Sequence, residues 1–210
     1  MAQILKEEFR QAIIDSAKQE FLEKGYEDAS MRNIAKNAGM TVGNLYRYFP
    51  SKDDIQKSIV SETMEEIDDL LRHLTANSVS MEARVFSIKA NVDDLHVLMN
   101  TLAERIVEIY LDHPQEFNIL MMQSKLNNDL TDWFSNAINS LIEQHFLVPG
   151  FRQEKEILSH SYAVSIFTGM KEIFSVADRF EDAGRLTMIV KTYLNSYVSM
   201  LDSDIRRQVF

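Results

Sequence analysis

Residues 30–52, SMRNIAKNAGMTVGNLYRYFPSK, lie in the longest run of the 210-residue chain that contains no aspartate or glutamate. The chain carries a formal charge of −10, yet this stretch holds Arg32, Lys36, Arg47 and Lys52, interleaved with Asn44, Tyr46 and Tyr48 around Gly39. An acidic protein that clears one segment of negative charge presents that segment to a polyanion, and the pattern suits duplex DNA.

The local signals predict two short helices joined by a sharp turn. Ser30 is a good N-cap, and Met31, Ile34, Ala35 and Ala38 recur at helical spacing, which predicts a helix over 31–38. Gly39 stands where that helix must stop, because a residue without a Cβ turns left-handed at little cost. Thr41 then caps a second helix over 42–48, with Val42, Leu45 and Phe49 apolar and Asn44, Arg47 and Tyr48 turned outward. Two helices about a short glycine turn, the second polar near its N-terminus, suit reading of the major groove. Pro50 ends the second helix. Ser51 opens the next, with Asp54 in the Glu position of a capping box. Upstream, Phe9, Ile13, Ala17 and Phe21 lie four apart, supported by Ile14 and Leu22, on a helix over 4–24 that Gly25 stops and onto which Tyr26 folds back.

The succession AIIDSAKQEFLEKGYEDASMRNIAKNAGMTVGNLYRYFPSKDDI resembles the N-terminal domain of the TetR (tetracycline repressor) family of transcriptional regulators. The resemblance covers residues 10–57, with Ala17, Phe21, Gly25, Ile34, Ala35, Gly39, Leu45, Tyr46, Phe49 and Lys52 in family register. Met40, where a smaller valine is usual, reads as a conservative core change. The resemblance implies that Tyr46, Tyr48, Thr41 and Lys52 bind phosphates, Lys52 with help from a helix N-terminus. It implies that Arg32 reaches a base edge or a phosphate, and that Val42, Gly43, Asn44 and Arg47 face the bases. Arginine suits the O6 and N7 of guanine, asparagine can pair bidentately with adenine, and valine can meet a thymine methyl. Tyr46 and Tyr48 are also compatible with a role in the domain core alone, and Lys36 reads as a solvated face residue.

Charge divides the chain. Residues 1–52 hold eight cations and seven acids, whereas the remainder holds fourteen cations and twenty-five acids. An acidic body is repelled by DNA and should stand away from it. We therefore expect a helix-turn-helix domain over 1–52 and an effector-binding and dimerisation domain over 53–210, with a helix over 51–74 running from one into the other. Six glycines, three prolines and no sustained alternation predict an all-α fold of nine to ten helices. Breaks at Asn77-Ser78, near Asn91, at His113-Pro114, Asn127-Asn128 and Pro149-Gly150, and near Glu181-Asp182 delimit helices over 80–90, 93–112, 114–125, 129–146, 152–179 and 183–204. The absence of cysteine fits a reducing compartment. The N-terminus lacks a signal peptide's apolar core and no run is long enough to span a membrane, so a cytoplasmic protein is expected.

On 183–204, Leu186, Ile189, Val190, Tyr193, Leu194, Tyr197, Val198 and Leu201 cover about half the helix circumference, more than a one-sided surface helix needs. Helix 152–179 is similarly rich, and Gly169 at its middle permits close approach. Such faces can be monomer core alone or can also meet a second copy. The resemblance implies a homodimer through a four-helix bundle of these two helices, which would offer two reading heads to a palindromic operator. It also implies a small-molecule effector in the second domain. His96, Met99, Asn100, Phe117, Met121, Trp133 and Tyr162 are candidate lining residues, although methionine equally fills ordinary core gaps. The acidic body favours a cationic or neutral effector.

Enzyme chemistry finds no support in the motifs. The chain has no GxGxxG, no GxxxxGK[ST], no HExxH and no thiol nucleophile, and its five histidines do not fall at i, i+4. No cofactor or metal is expected. A helical ligand-binding or protein-interaction module that no longer reads DNA is the alternative. Such a module would have no physical reason to keep 30–52 free of acids. The reading is a TetR-type regulator, a repressor released from its operator by an effector.

Overall fold

The computed structural model describes residues 2–85, 92–122, 131–132, 134–136, 138–139 and 152–208. Every regular element among these residues is helical: α1 Ala2–Asp28, α2 Met31–Asn37, α3 Val42–Leu45, α4 Lys52–Val85, α5 Val92–Asp112, α6 Pro114–Met121, α7 Arg152–Ser175 and α8 Ala183–Gln208, with a 3-10 turn at Ala177–Arg179. The chain forms two compact units, residues 1–66 with 113–123, and residues 67–112 with 124–210. The boundary expected after residue 52 coincides with the first residue of α4, whereas the two units part within that helix, after Glu66.

In the first unit, Ile13, Ala17 and Phe21 of α1 are fully buried, as the four-residue spacing predicts, while Phe9 at the start of that series keeps 39% exposure and lies beside the Tyr48 ring. Gly25, at φ +77, interrupts α1, and Tyr26 returns onto Phe21 with ring centroids 5.6 Å apart. Ile34, Ala35, Leu45, Phe49, Ile55 and Ile59 complete the core contributed by α2, α3 and α4. Helix α6 packs on α1. Its Phe117, Ile119 and Leu120 are fully buried, and Lys18 of α1 pairs with Glu116. Pro114 at the first helical position and His113 as cap set the α5–α6 break where the sequence places it.

Two of the boundaries that differ from expectation have a clear physical cause. No break occurs at Asn77-Ser78, because α4 continues to Val85. Asparagine and serine lower helix propensity by only a few tenths of a kcal/mol, so without glycine or proline the helix propagates through them. Regular α-helix in α3 ends at Leu45, and the chain tightens to i→i−3 bonds, Arg47 N–H to Asn44 and Tyr48 N–H to Leu45, as it approaches Pro50. The breaks at Asn127-Asn128 and Pro149-Gly150, and most of the helix expected over 129–146, lie outside the described residues.

In the second unit α8 packs chiefly along α5 and also meets α7. Leu186, Val190, Leu194 and Val198 of α8 and Phe167, Met170 and Phe174 of α7 are buried. Gly169 admits a side chain rather than a backbone: the Tyr193 ring lies across it, and the Tyr193 hydroxyl donates to the Ser165 carbonyl at 2.7 Å.

Candidate nucleic-acid interface

The geometry of residues 30–52 follows from its caps. Ser30 Oγ accepts the Asn33 N–H at 3.1 Å and opens α2. At the other end Gly39 adopts φ +68, its N–H bonding the Lys36 carbonyl at 3.1 Å while the Met40 N–H bonds that of Ala35 at 2.9 Å. These two bonds make a Schellman turn, which needs a left-handed residue at this position. Thr41 Oγ1 accepts the Asn44 N–H at 3.2 Å and opens α3. Since a hydroxyl can accept and donate together, Thr41 keeps its proton for an outside acceptor. Ser51 exchanges bonds with Asp54, accepting its N–H at 3.1 Å and donating to its carboxylate at 2.7 Å.

The scaffold leaves every predicted residue at least partly exposed. Arg32, Thr41, Gly43, Tyr46 and Arg47 are exposed, while Val42, Asn44, Tyr48 and Lys52 are half-buried. Arg32, Asn33, Lys36, Gly39, Met40, Thr41 and Val42 line an open groove of about 750 Å³. Met40 is therefore half-exposed in the groove wall rather than in the core. Among the described residues, Arg32, Lys36 and Arg47 make no ion pair, so their charges stay open to solvent and to an incoming anion.

Lys52 is placed differently. Its ammonium donates to the carbonyls of Tyr26 at 2.5 Å, Ala29 at 3.0 Å and Glu27 at 3.1 Å, and stands 4.4 Å from the centroid of the Tyr26 ring. Arg10 is engaged as well. It donates to Ser58 Oγ at 2.8 Å and lies 5.2 Å over the Phe49 ring, tying α1 to α4 across the end of the reading segment.

Sequence reasoning missed Glu20. Its side chain is 3% exposed and accepts from Lys24 at 2.8 Å, Asn33 Nδ2 at 2.9 Å and the Ser30 N–H at 3.3 Å. Burial alone would push this carboxyl up, but the bonds from Lys24, Asn33 and Ser30 outweigh it and hold it below its ordinary value. The signal was available, because residue 20 lies on the same stripe of α1 as Ile13, Ala17 and Phe21.

The candidate effector residues do not gather in one unit. Phe117 and Met121 are buried in the first, whereas His96, Met99, Asn100 and Tyr162 belong to the second, and Trp133 lies outside the described residues. His96 Nδ1 meets Asn195 Oδ1, and Asn195 Nδ2 donates to Asn100 Oδ1 at 2.8 Å, a polar link between α5 and α8. Among the described residues no three metal-ligating side chains cluster, and no helix is long and apolar enough to cross a membrane.

A capped helix, a left-handed glycine turn and a second helix carrying open cations and amides define a helix-turn-helix DNA-reading domain. Residues 13–59 match the family described as "Bacterial regulatory proteins, tetR family". The chain is 31% identical over 86 residues to the HTH-type transcriptional regulator PksA of Bacillus subtilis (strain 168), covering 41% of this chain and 42% of that one. It is 40% identical over 63 residues to the HTH-type transcriptional repressor KstR of Rhodococcus jostii (strain RHA1), covering 30% of each. The match thus spans less than half the length of these relatives. A TetR-like transcriptional regulator from Rhodococcus sp. RHA1 shares the fold, with a TM-score of 0.50 at 14% identity over 89% of this chain and 93% of that one.

Proposed function

We propose that this protein is a transcriptional repressor that binds a palindromic operator as a homodimer and is released by a small-molecule effector. The observation that carries the reading is the surface of α2 and α3. It holds open cations, an available hydroxyl and a half-buried amide on a turn locked by capping bonds, in a chain of net charge −10. In this reading Tyr46, Tyr48 and Thr41 bind phosphates, and Arg32, Val42, Gly43, Asn44 and Arg47 face base edges. KstR, similar over the matched stretch, is named a repressor. A protein that reads DNA works in the compartment that holds it, which for this reading is the cytoplasm, and the reading assigns no catalysis.

Homodimerisation through residues 152–179 and 183–204 is supported by the apolar side chains that α7 and α8 leave uncovered. Ile157 is 68% exposed and Met188 59%, with Val164 also exposed. The effector is placed in the second unit, where His96, Asn100 and Asn195 join half-buried polar groups. Fluorescence anisotropy of the full chain on its own upstream DNA, across a salt series and against scrambled competitor, tests the reading. Tight, competitor-resistant binding of one or two dimers per site is expected. Affinity no better than for scrambled DNA, on this fragment and on fragments selected genome-wide, would refute it.

A further inference from the structure

We propose that Met40 determines sequence specificity, its thioether reading the C5-methyl of a thymine beside the backbone that the open cations hold. The inference rests on the DNA-reading function above, in which Val42 already faces a base edge. Met40 adds a second apolar reader, from the turn rather than from α3.

The backbone places it there. Gly39 is left-handed at φ +68, and the Met40 N–H bonds the Ala35 carbonyl at 2.9 Å, so Met40 is the residue that closes the Schellman turn. That position favours an apolar side chain that packs back on the last turn of the helix. Here that turn offers Ile34 and Ala35, both fully buried. A short side chain would meet this need. Methionine is longer, unbranched and adaptable through three rotatable bonds. Its side chain is only half-buried and lines the groove with Arg32, Lys36, Thr41 and Val42.

The groove combines two kinds of chemistry. Arg32 and Lys36 make no ion pair among the described residues, and Thr41 keeps a proton to donate, which suits a phosphate. The Met40 thioether carries no charge and no donor, so it gains little from a phosphate. Among the groups that base pairs present in the major groove, the C5-methyl of thymine is the apolar one. Covering it with the thioether removes apolar surface from water on both sides. Because Met40 directly precedes Thr41, the methyl belongs to a nucleotide next to the phosphate that Thr41 binds.

The full-length wild-type protein first selects its best sites from random duplexes. Each thymine of the selected site is then replaced by deoxyuridine, which removes only the methyl. Anisotropy titrations compare wild type, Met40→Val and Val42→Ala. Valine keeps an apolar residue at the end of α2 and withdraws the thioether. At one thymine in each half-site, deoxyuridine should weaken wild type about fourfold, the order of effect of one buried methyl, and leave Met40→Val nearly unchanged. Val42→Ala should stay as sensitive as wild type at that thymine, which separates the two apolar readers. The salt slope of Met40→Val should equal that of wild type, since no phosphate contact is lost.

If every deoxyuridine costs Met40→Val as much as it costs wild type, the inference is overturned and Met40 only covers the end of α2. Equal weakening of selected and scrambled DNA by Met40→Val overturns it too. Should Met40→Val not fold, Met40→Leu, whose branches end one heavy atom short of the methionine methyl, decides by the same comparison. A wild-type protein that selects no sequence overturns the repressor reading itself, whereas a selected site without a Met40-dependent thymine overturns this inference alone.

Discussion

Glutamine in place of Glu20 removes one charge from beneath the reading helices and keeps the side-chain shape. The native carboxylate is 3% exposed and accepts bonds from Lys24, Asn33 and the Ser30 N–H. Hydrogen bonds to a buried charged group each contribute roughly 1.5–3 kcal/mol. Lys24 is 40% exposed and can recover water, and the Ser30 bond is long at 3.3 Å, so most of the loss falls on the Asn33 bond and on the charge itself. The expected cost is about 2 kcal/mol, which lowers the melting temperature by roughly 4–8 °C if the chain unfolds as a whole and by more if the first unit melts alone.

The pH dependence gives the sharper test. Glu20 is held below its ordinary value of 4.5, so its stabilisation is complete above the unfolded value and disappears as pH falls through the folded one. Glu116 is also held low. Burial alone would raise it, but Lys18, a backbone bond and His113 outweigh that effect, and because both proteins retain Glu116, the difference between them isolates Glu20. Thermal unfolding followed by circular dichroism should show the gap between wild type and variant full at neutral pH and closing below about pH 4.5. A gap that stays constant through that window would show that Glu20 acts by shape rather than by charge, and would refute the reasoning.

Further outcomes are open to measurement. A double-mutant cycle on Lys18→Met and Glu116→Gln should return a coupling of about 1 kcal/mol, because the pair is only partly exposed and links α1 to α6. Gly169→Ala should destabilise by roughly 1–3 kcal/mol, since a Cβ there would overlap the Tyr193 hydroxyl and ring. In a Tyr193→Ala background the same change should reverse sign and stabilise by up to about 1 kcal/mol through helix propensity. Arg47→Ala should change preference among operator variants, whereas Lys36→Met should weaken all of them alike and make the salt slope shallower by about 0.9, as anisotropy titrations would show.

The parts of this fold that were legible in the sequence are those set by near neighbours. Ser30, Gly39, Thr41 and Ser51 act on groups three or four residues away, so their capping bonds could be read from spacing alone. Boundaries failed where no strong breaker stood, as at Asn77-Ser78, where weak propensities let α4 continue. The candidate effector residues were chosen by chemistry along the body helices. Nothing local shows that α6 returns to α1, which buries Phe117 and Met121 in the first unit, apart from His96 and Asn100.

The same limit explains why composition misjudges the cations of the reading segment. Counted along the chain, Arg10, Arg32, Lys36, Arg47 and Lys52 are equivalent positive charges beside an acidic body. Folding sorts them by what lies within reach. Arg10 meets Ser58 and the Phe49 ring, and Lys52 meets three carbonyls at the end of α1, so each links two helices. Arg32, Lys36 and Arg47 project where the described residues offer no partner, so their pairing awaits something outside the chain. A polyanion needs both kinds. Open cations give affinity that any phosphate backbone can satisfy, while selection among sequences requires asparagine and arginine side chains held in fixed register by bonds such as those of Glu20 to Asn33 and Ser30.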